Sequence, residues 1–163
     1  MAEDIEFSGI TDAQRRIISY WNSLSEHGLP ARRSDIDPGA LRNHLADITL
    51  IEVDGRGRKR LRIAGSRVRD LLGGEMRGCD VDDLTEETAS MLMTGVESVL
   101  QRQQPVGGLI DCKTHKHAWL RLPVRSSRWD IQIVLCHDSL IRKDLKRAGV
   151  EQLTHTLARF AAA

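Results

Sequence analysis

Leu61-Arg62-Ile63-Ala64-Gly65-Ser66 and, a few residues on, Gly73-Gly74-Glu75-Met76-Arg77-Gly78 form the most informative stretch of the chain. The first half reads as a strand, with Leu61 and Ile63 on one face and Arg60 and Arg62 on the other. Ser66 is placed to cap a short helix through Leu72, and Gly73, Gly74 and Gly78 allow a compact loop. Just upstream, Ile48 to Val53 is rich in β-formers and ends at Asp54-Gly55, a tight-turn signal, so the chain returns along Arg60 to Ala64. Earlier still, Ser19-Tyr20-Trp21-Asn22-Ser23-Leu24 closes a helix. Thr11 caps it with Gln14 in capping-box spacing, and Ile17, Ile18, Trp21 and Leu24 share one face. Gly28 and Pro30 end that helix. The linker Gly28-Leu29-Pro30-Ala31-Arg32 and Asp35-Ile36-Asp37-Pro38 follows, and Asp37-Pro38 reads as the start of a short helix near residues 38 to 45.

Downstream, Ala89, Leu92, Met93, Val96, Val99 and Leu100 recur three or four apart and predict helix over 85–102, with Thr85 as its cap. Three extended runs follow, Val106 to Cys112, Ala118 to Val124 and Ile131 to Cys136. Leu120, Leu122 and Val124 share one face of the second run, and Trp119 and Arg121 the other. Helix, two strands, helical middle, three strands and helix is an α+β order that suits one five-stranded antiparallel sheet. The strands are expected near 47–53, 59–64, 106–113, 118–125 and 130–137. Asp138 is read as the cap of a further helix containing Leu140, Ile141 and Leu145. After Gly149 a stripe of Val150, Leu153, Leu157 and Phe160 runs to the end.

The two quoted regions together resemble a compact, single-domain, PAS-like family of alphaproteobacterial proteins. In that family a helix ending near Tyr-Trp leads to Pro-x-Arg-x-x-Asp-x-Asp-Pro. A strand ends in Leu-Ala-Gly-Thr before a Gly-x-Glu-x-x-Gly turn; here Ile63 stands for Leu and Ser66 for Thr. The likeness covers roughly residues 12 to 137. It implies a PAS-like sheet with helices on one face, flanking N- and C-terminal helices, and a sensory or regulatory role. The resulting division is an N-terminal tail over 1–10, the PAS-like domain over 11–137 and a C-terminal helical extension over 138–163.

Composition narrows the classes of function. The 163 residues suit one domain with a real core, and 40% of them are hydrophobic, which argues against disorder. The 24 basic and 23 acidic side chains nearly cancel, so net charge gives no pull toward nucleic acid or acidic membranes. Cys79, Cys112 and Cys136 cannot all pair within one chain and make no Cys-x-x-Cys, which reads as a reduced cytoplasmic setting. No run approaches a membrane span, and the acidic start lacks an apolar signal region.

Candidate chemistry is sparse. Cys112, His115 and His117 lie together, but a structural zinc site needs four ligands and no second cluster has matching spacing. Ser66 lacks the second glycine of a nucleophile elbow, and no Gly-Lys-Ser/Thr follows the glycines. Asp35, Asp37, Asp80, Asp82 and Asp83 read as turn and cap residues, so no catalytic or metal-binding residue is assigned. The run Arg56, Arg58, Lys59, Arg60, Arg62 sits on a hairpin tip with no interleaved aromatic, which places nucleic-acid binding third. No haem ligand faces the sheet, since His44 lies outside the helical cover, and the flavin photosensor motif is absent. No cofactor is therefore expected.

The resemblance puts ligands of such domains between the helical middle and the sheet. Ile63, Met76, Leu92, Met93, Val96, Leu109, Leu122 and Ile133 would line such an apolar pocket, or else fill it as core. Ile17, Trp21 and Leu24 of the first helix, with Val150, Leu153, Leu157 and Phe160 of the tail, form apolar stripes that must cover the second face of the sheet or join subunits. Flanking helices commonly join subunits in such proteins, so the resemblance favours a homodimer. The leading function is a non-catalytic regulatory module that contacts an unidentified signalling protein. The alternatives are a sensor of an apolar small molecule and a nucleic-acid adaptor. Gly65 and Gly78 are expected to reject a side chain, by φ or by close packing.

Overall fold

A computed structural model describes residues 10–143. Five strands, β1 (Ile48–Asp54), β2 (Lys59–Ala64), β3 (Val106–Asp111), β4 (His115–Arg125) and β5 (Ile131–Arg142), form one sheet. Their order is β2-β1-β5-β4-β3, with every pairing antiparallel. The expected α+β fold with a five-stranded antiparallel sheet is what the chain adopts. The helices are α1 (Asp12–Leu24), α2 (Ser66–Leu72), α3 (Glu86–Met93) and α4 (Val96–Arg102).

The helical middle covers one face of the sheet, and α1 covers the other. Ile17 and Trp21 of α1 join Ile36, Leu41, Ile48, Leu50, Leu120, Leu122, Ile133 and Leu135 in one core cluster. Ile51, Leu61, Val68, Leu92, Val96, Val99, Val134 and Cys136 form a second on the opposite face, under α2 to α4. Alternation along β5 explains the division, since Ile133 and Leu135 point one way and Val134 and Cys136 the other. The N-terminus of α1 has both halves of its capping box, Gln14 N–H to Thr11 Oγ1 at 3.2 Å and Thr11 N–H to Gln14 Oε1 at 3.1 Å.

Several sequence expectations are corrected. Helix does not run unbroken over 85–102, because Gly95 takes a left-handed φ of 76° between α3 and α4. The Trp119 ring occupies the space where a Cβ would stand at Gly95. Residues 38–44 make turns rather than a helix, and Gly65 rather than Ser66 is the N-cap of α2. Asp138 does not cap a helix: β5 continues through Arg142, paired with β4 as far as His115↔Arg142. Ile63 does not share a face with Leu61. Leu50 pairs with Ile63 and Ile51 with Leu61, so the β1–β2 register shifts and Arg62 becomes the extra residue. The shift turns Ile63 to the α1 face while Leu61 stays under α2 to α4. The tail stripe Val150, Leu153, Leu157 and Phe160 lies outside the described residues.

Candidate functional site

Four of the eight residues expected to line one pocket come together, and the other four do not. Leu92 and Val96 are fully buried under the helical cover, and Met76 and Met93 pack against the same cluster. Leu122 and Ile133 lie on the opposite face, beneath α1. Ile63 is turned to that opposite face as well and is 40% exposed, and Leu109 is exposed on the edge strand β3. The α1 stripe is likewise committed within the chain. Ile17 and Trp21 are buried, Leu24 packs beside them, and Trp21 Nε1 donates to the Pro123 carbonyl at 2.8 Å. These residues are not a free dimer surface.

Beneath the cover lies a buried ionic cluster that the sequence reading missed. Arg121 of β4 is fully buried, and Asp138 and His117 are nearly so. Arg121 Nη2 donates to Asp138 Oδ1 at 3.0 Å and to the Met91 carbonyl of α3 at 3.2 Å, while Nη1 reaches Asp138 Oδ2 at 3.2 Å. His117 Nε2 lies 2.7 Å from Asp138 Oδ1, and Trp119 stands beside the guanidinium with its ring centroid 5.9 Å away. Burial raises the Asp138 pKa, but the charge of Arg121 and the hydrogen bonds from His117 and Arg121 outweigh it and leave it lowered. Cys136 beside them is pushed up to about 12 by burial and stays a thiol. The signal was present, since His117, Trp119 and Arg121 alternate on one face of β4. Reading Asp138 as a helix cap removes their partner from the sheet.

On the opposite face the next residue, His137, is buried against α1. Gln14 Nε2 donates to the Ala118 carbonyl at 3.0 Å and lies 3.2 Å from His137 Nδ1. An amide N–H there requires Nδ1 to accept, which puts the proton of neutral His137 on Nε2. Burial lowers the His137 pKa to about 4.

Two surface features complete the candidate site. Trp129, in the β4–β5 turn, is 98% exposed. Its neighbours pair beside it: Arg128 Nε and Nη2 donate to Asp130 Oδ1 and Oδ2 at 3.1 and 2.7 Å. The β1–β2 turn lies alongside, because Asp54 pairs with Ile131. The second feature is an apolar groove of about 390 Å³ on the α1 face, between the 33–46 segment and the β1–β2 edge.

The basic β1–β2 run is largely neutralised locally. Arg58, Arg60 and Arg62 pair with Asp54, Asp80 and Glu52 at 3.2, 3.3 and 3.3 Å. Among the described residues no group of three His, Cys, Asp or Glu side chains is placed to hold a metal ion. No helix among them is long and apolar enough to cross a membrane.

The family model described as PAS domain matches residues 10–124. No curated protein matches the chain. Among solved structures 21 chains match. A domain of an HTR-like protein from Haloarcula marismortui ATCC 43049 is 13% identical, with a TM-score of 0.42; the match covers 56% of this chain and 97% of that one. An RNA-binding light-oxygen-voltage receptor is 18% identical, with a TM-score of 0.41; the match covers 86% of this chain but only 44% of the receptor. A light-oxygen-voltage domain studied with a flavin analogue is 13% identical, with a TM-score of 0.40, over 72% of this chain and 93% of that one.

Proposed function

Because the chain belongs to the PAS domain family, a family of sensory domains, we propose that it is a non-catalytic sensory module that delivers its signal by contact with a protein partner. The carrying observation is Trp129. A tryptophan 98% exposed on the β4–β5 turn, flanked by the Arg128–Asp130 ion pair, is apolar area presented to solvent. Trp is enriched among the few residues that dominate protein interfaces, and it loses little conformational entropy on binding. The space where a ligand would be enclosed supports the same reading. Leu92, Val96 and Val99 are fully buried there, beside the Arg121–Asp138–His117 cluster.

A photocrosslinker at position 129, used in cells, tests this reading. The expected product is a single crosslinked protein whose purified form binds the wild-type chain, with Trp129→Ala weakening the complex at least about tenfold. Unchanged affinity in the variant rejects the reading. Crosslinking to nucleic acid instead favours the adaptor reading, which gains one observation from the structure: the exposed Trp129 lies on the turn beside the basic β1–β2 turn. Native mass spectrometry of the purified chain separates both from a sensor that retains its ligand.

A further inference from the structure

The apolar groove on the α1 face has the form of a small-molecule site, on the side of the sheet away from the helical cover. We propose that it binds a carboxylate carrying a single unbranched apolar chain, with the chain in the groove and the carboxylate at Arg33 and Arg69. This goes beyond the contact-signalling reading, because it concerns what the module receives rather than what it touches.

Size and lining set the class of ligand. About 390 Å³ falls at the small end of the range for ligand sites, enough for one chain. Ile36, Leu41, Ile48, Leu50 and Leu135 contribute apolar surface. Ile63 and Leu45 also line it and remain 40% and 38% exposed, so an apolar occupant would remove both from water. The presence of Ile63 here follows from the register shift at Arg62; without it the side chain would lie beside Leu61 under the cover. The opposing wall is held close. Gly65 N–H donates to the Ile48 carbonyl at 2.8 Å, and its Cα lies against the Leu45 and Ala46 carbonyls.

Charge sets the head group. The lining includes Arg33 and Arg69 and no acidic residue. Among the described residues Arg33 makes no ion pair. Among the described residues Arg69 holds one carboxylate, Nη1 to Glu75 Oε2 at 2.9 Å, and its side chain stays 43% exposed. A carboxylate placed at these two guanidinium groups makes charge-assisted hydrogen bonds with them.

Calorimetric titration of the full chain tests the proposal with decanoate and with decanol as the uncharged probe. Decanoate is expected to bind once per chain, and decanol at least about tenfold more weakly, the difference a charge-assisted hydrogen bond makes. The double variant Arg33→Gln, Arg69→Gln should weaken decanoate about tenfold and leave decanol unchanged. Ile63→Trp, at an exposed position, should abolish both, and Leu45→Trp reads the same if that variant does not fold. Trp129→Ala should leave decanoate binding intact, so loss of the protein partner and loss of the ligand are read separately. No saturable binding, equal affinity for the two probes, or full binding by the Ile63→Trp and Leu45→Trp variants overturns the site. Sedimentation with anionic phospholipid vesicles should leave the protein in the supernatant; pelleting would overturn the reading as a free-ligand site.

Discussion

Gly65 and Gly78 exclude a side chain for different reasons, and the two should be separable by measurement. At Gly65 a Cβ would run into the backbone carbonyls of Leu45 and Ala46, which cannot swing aside. At Gly78 the space is open, but φ is 82°. Gly78→Ala should therefore cost about 1 kcal/mol, and Gly65→Ala clearly more, in urea unfolding. Equal losses would contradict this. A buried ion behaves differently again. Asp138→Asn removes the charge that compensates Arg121, which is fully buried, and should cost roughly 3–5 kcal/mol. His137 gives a pH signature. Its pKa falls from 6.5 to about 4 on folding, so the unfolded chain takes up the proton first as pH drops. Stability is unaffected by it above about pH 6.5 and declines between there and pH 4, by on the order of 3 kcal/mol. The lowered carboxyl of Asp138 adds a further loss only below about pH 4. His137→Asn, which keeps an acceptor for Gln14, should flatten thermal stability between pH 7 and 5; an unchanged slope would reject the assignment.

Among the elements, α1 is fixed by packing and by one hydrogen bond. Trp21→Phe keeps most of the apolar area but strands the Pro123 carbonyl, and should lower stability by about 1–2 kcal/mol in denaturant unfolding. No loss would mean that water replaces the indole. The elements also show what the sequence made legible. Period-two alternation located all five strands, four of them to within three residues at each end, and the Thr11–Gln14 spacing located α1. Three things were invisible for physical reasons. The α3–α4 break depends on Trp119 filling the space over Gly95, a contact between residues 24 apart in the chain. The turn of Ile63 depends on pairing register, which one strand's alternation does not reveal. The last five residues of β5 carry Asp138 and Ser139, poor strand formers alone, and are held extended by β4 and the buried Arg121. The expected pocket residues divide between faces for the same reason, since only the pairing register sorts them.

For the whole molecule, the apolar face of α1 is used within the chain, so Ile17→Glu should unfold the protein rather than dissociate it. A folded variant of lower mass in sedimentation would show that α1 joins subunits after all. His137 and Asp138 are adjacent in β5, and they fasten opposite layers: His137 meets Gln14 of α1, while Asp138 holds Arg121, which reaches the Met91 carbonyl of α3. One peptide link therefore joins the contacts made to both outer layers. Amide exchange is where this becomes visible. The α1 and α3 backbones should open together as a single cooperative unit, and Asp138→Asn, made under the cover, should speed exchange in α1 as much as in α3.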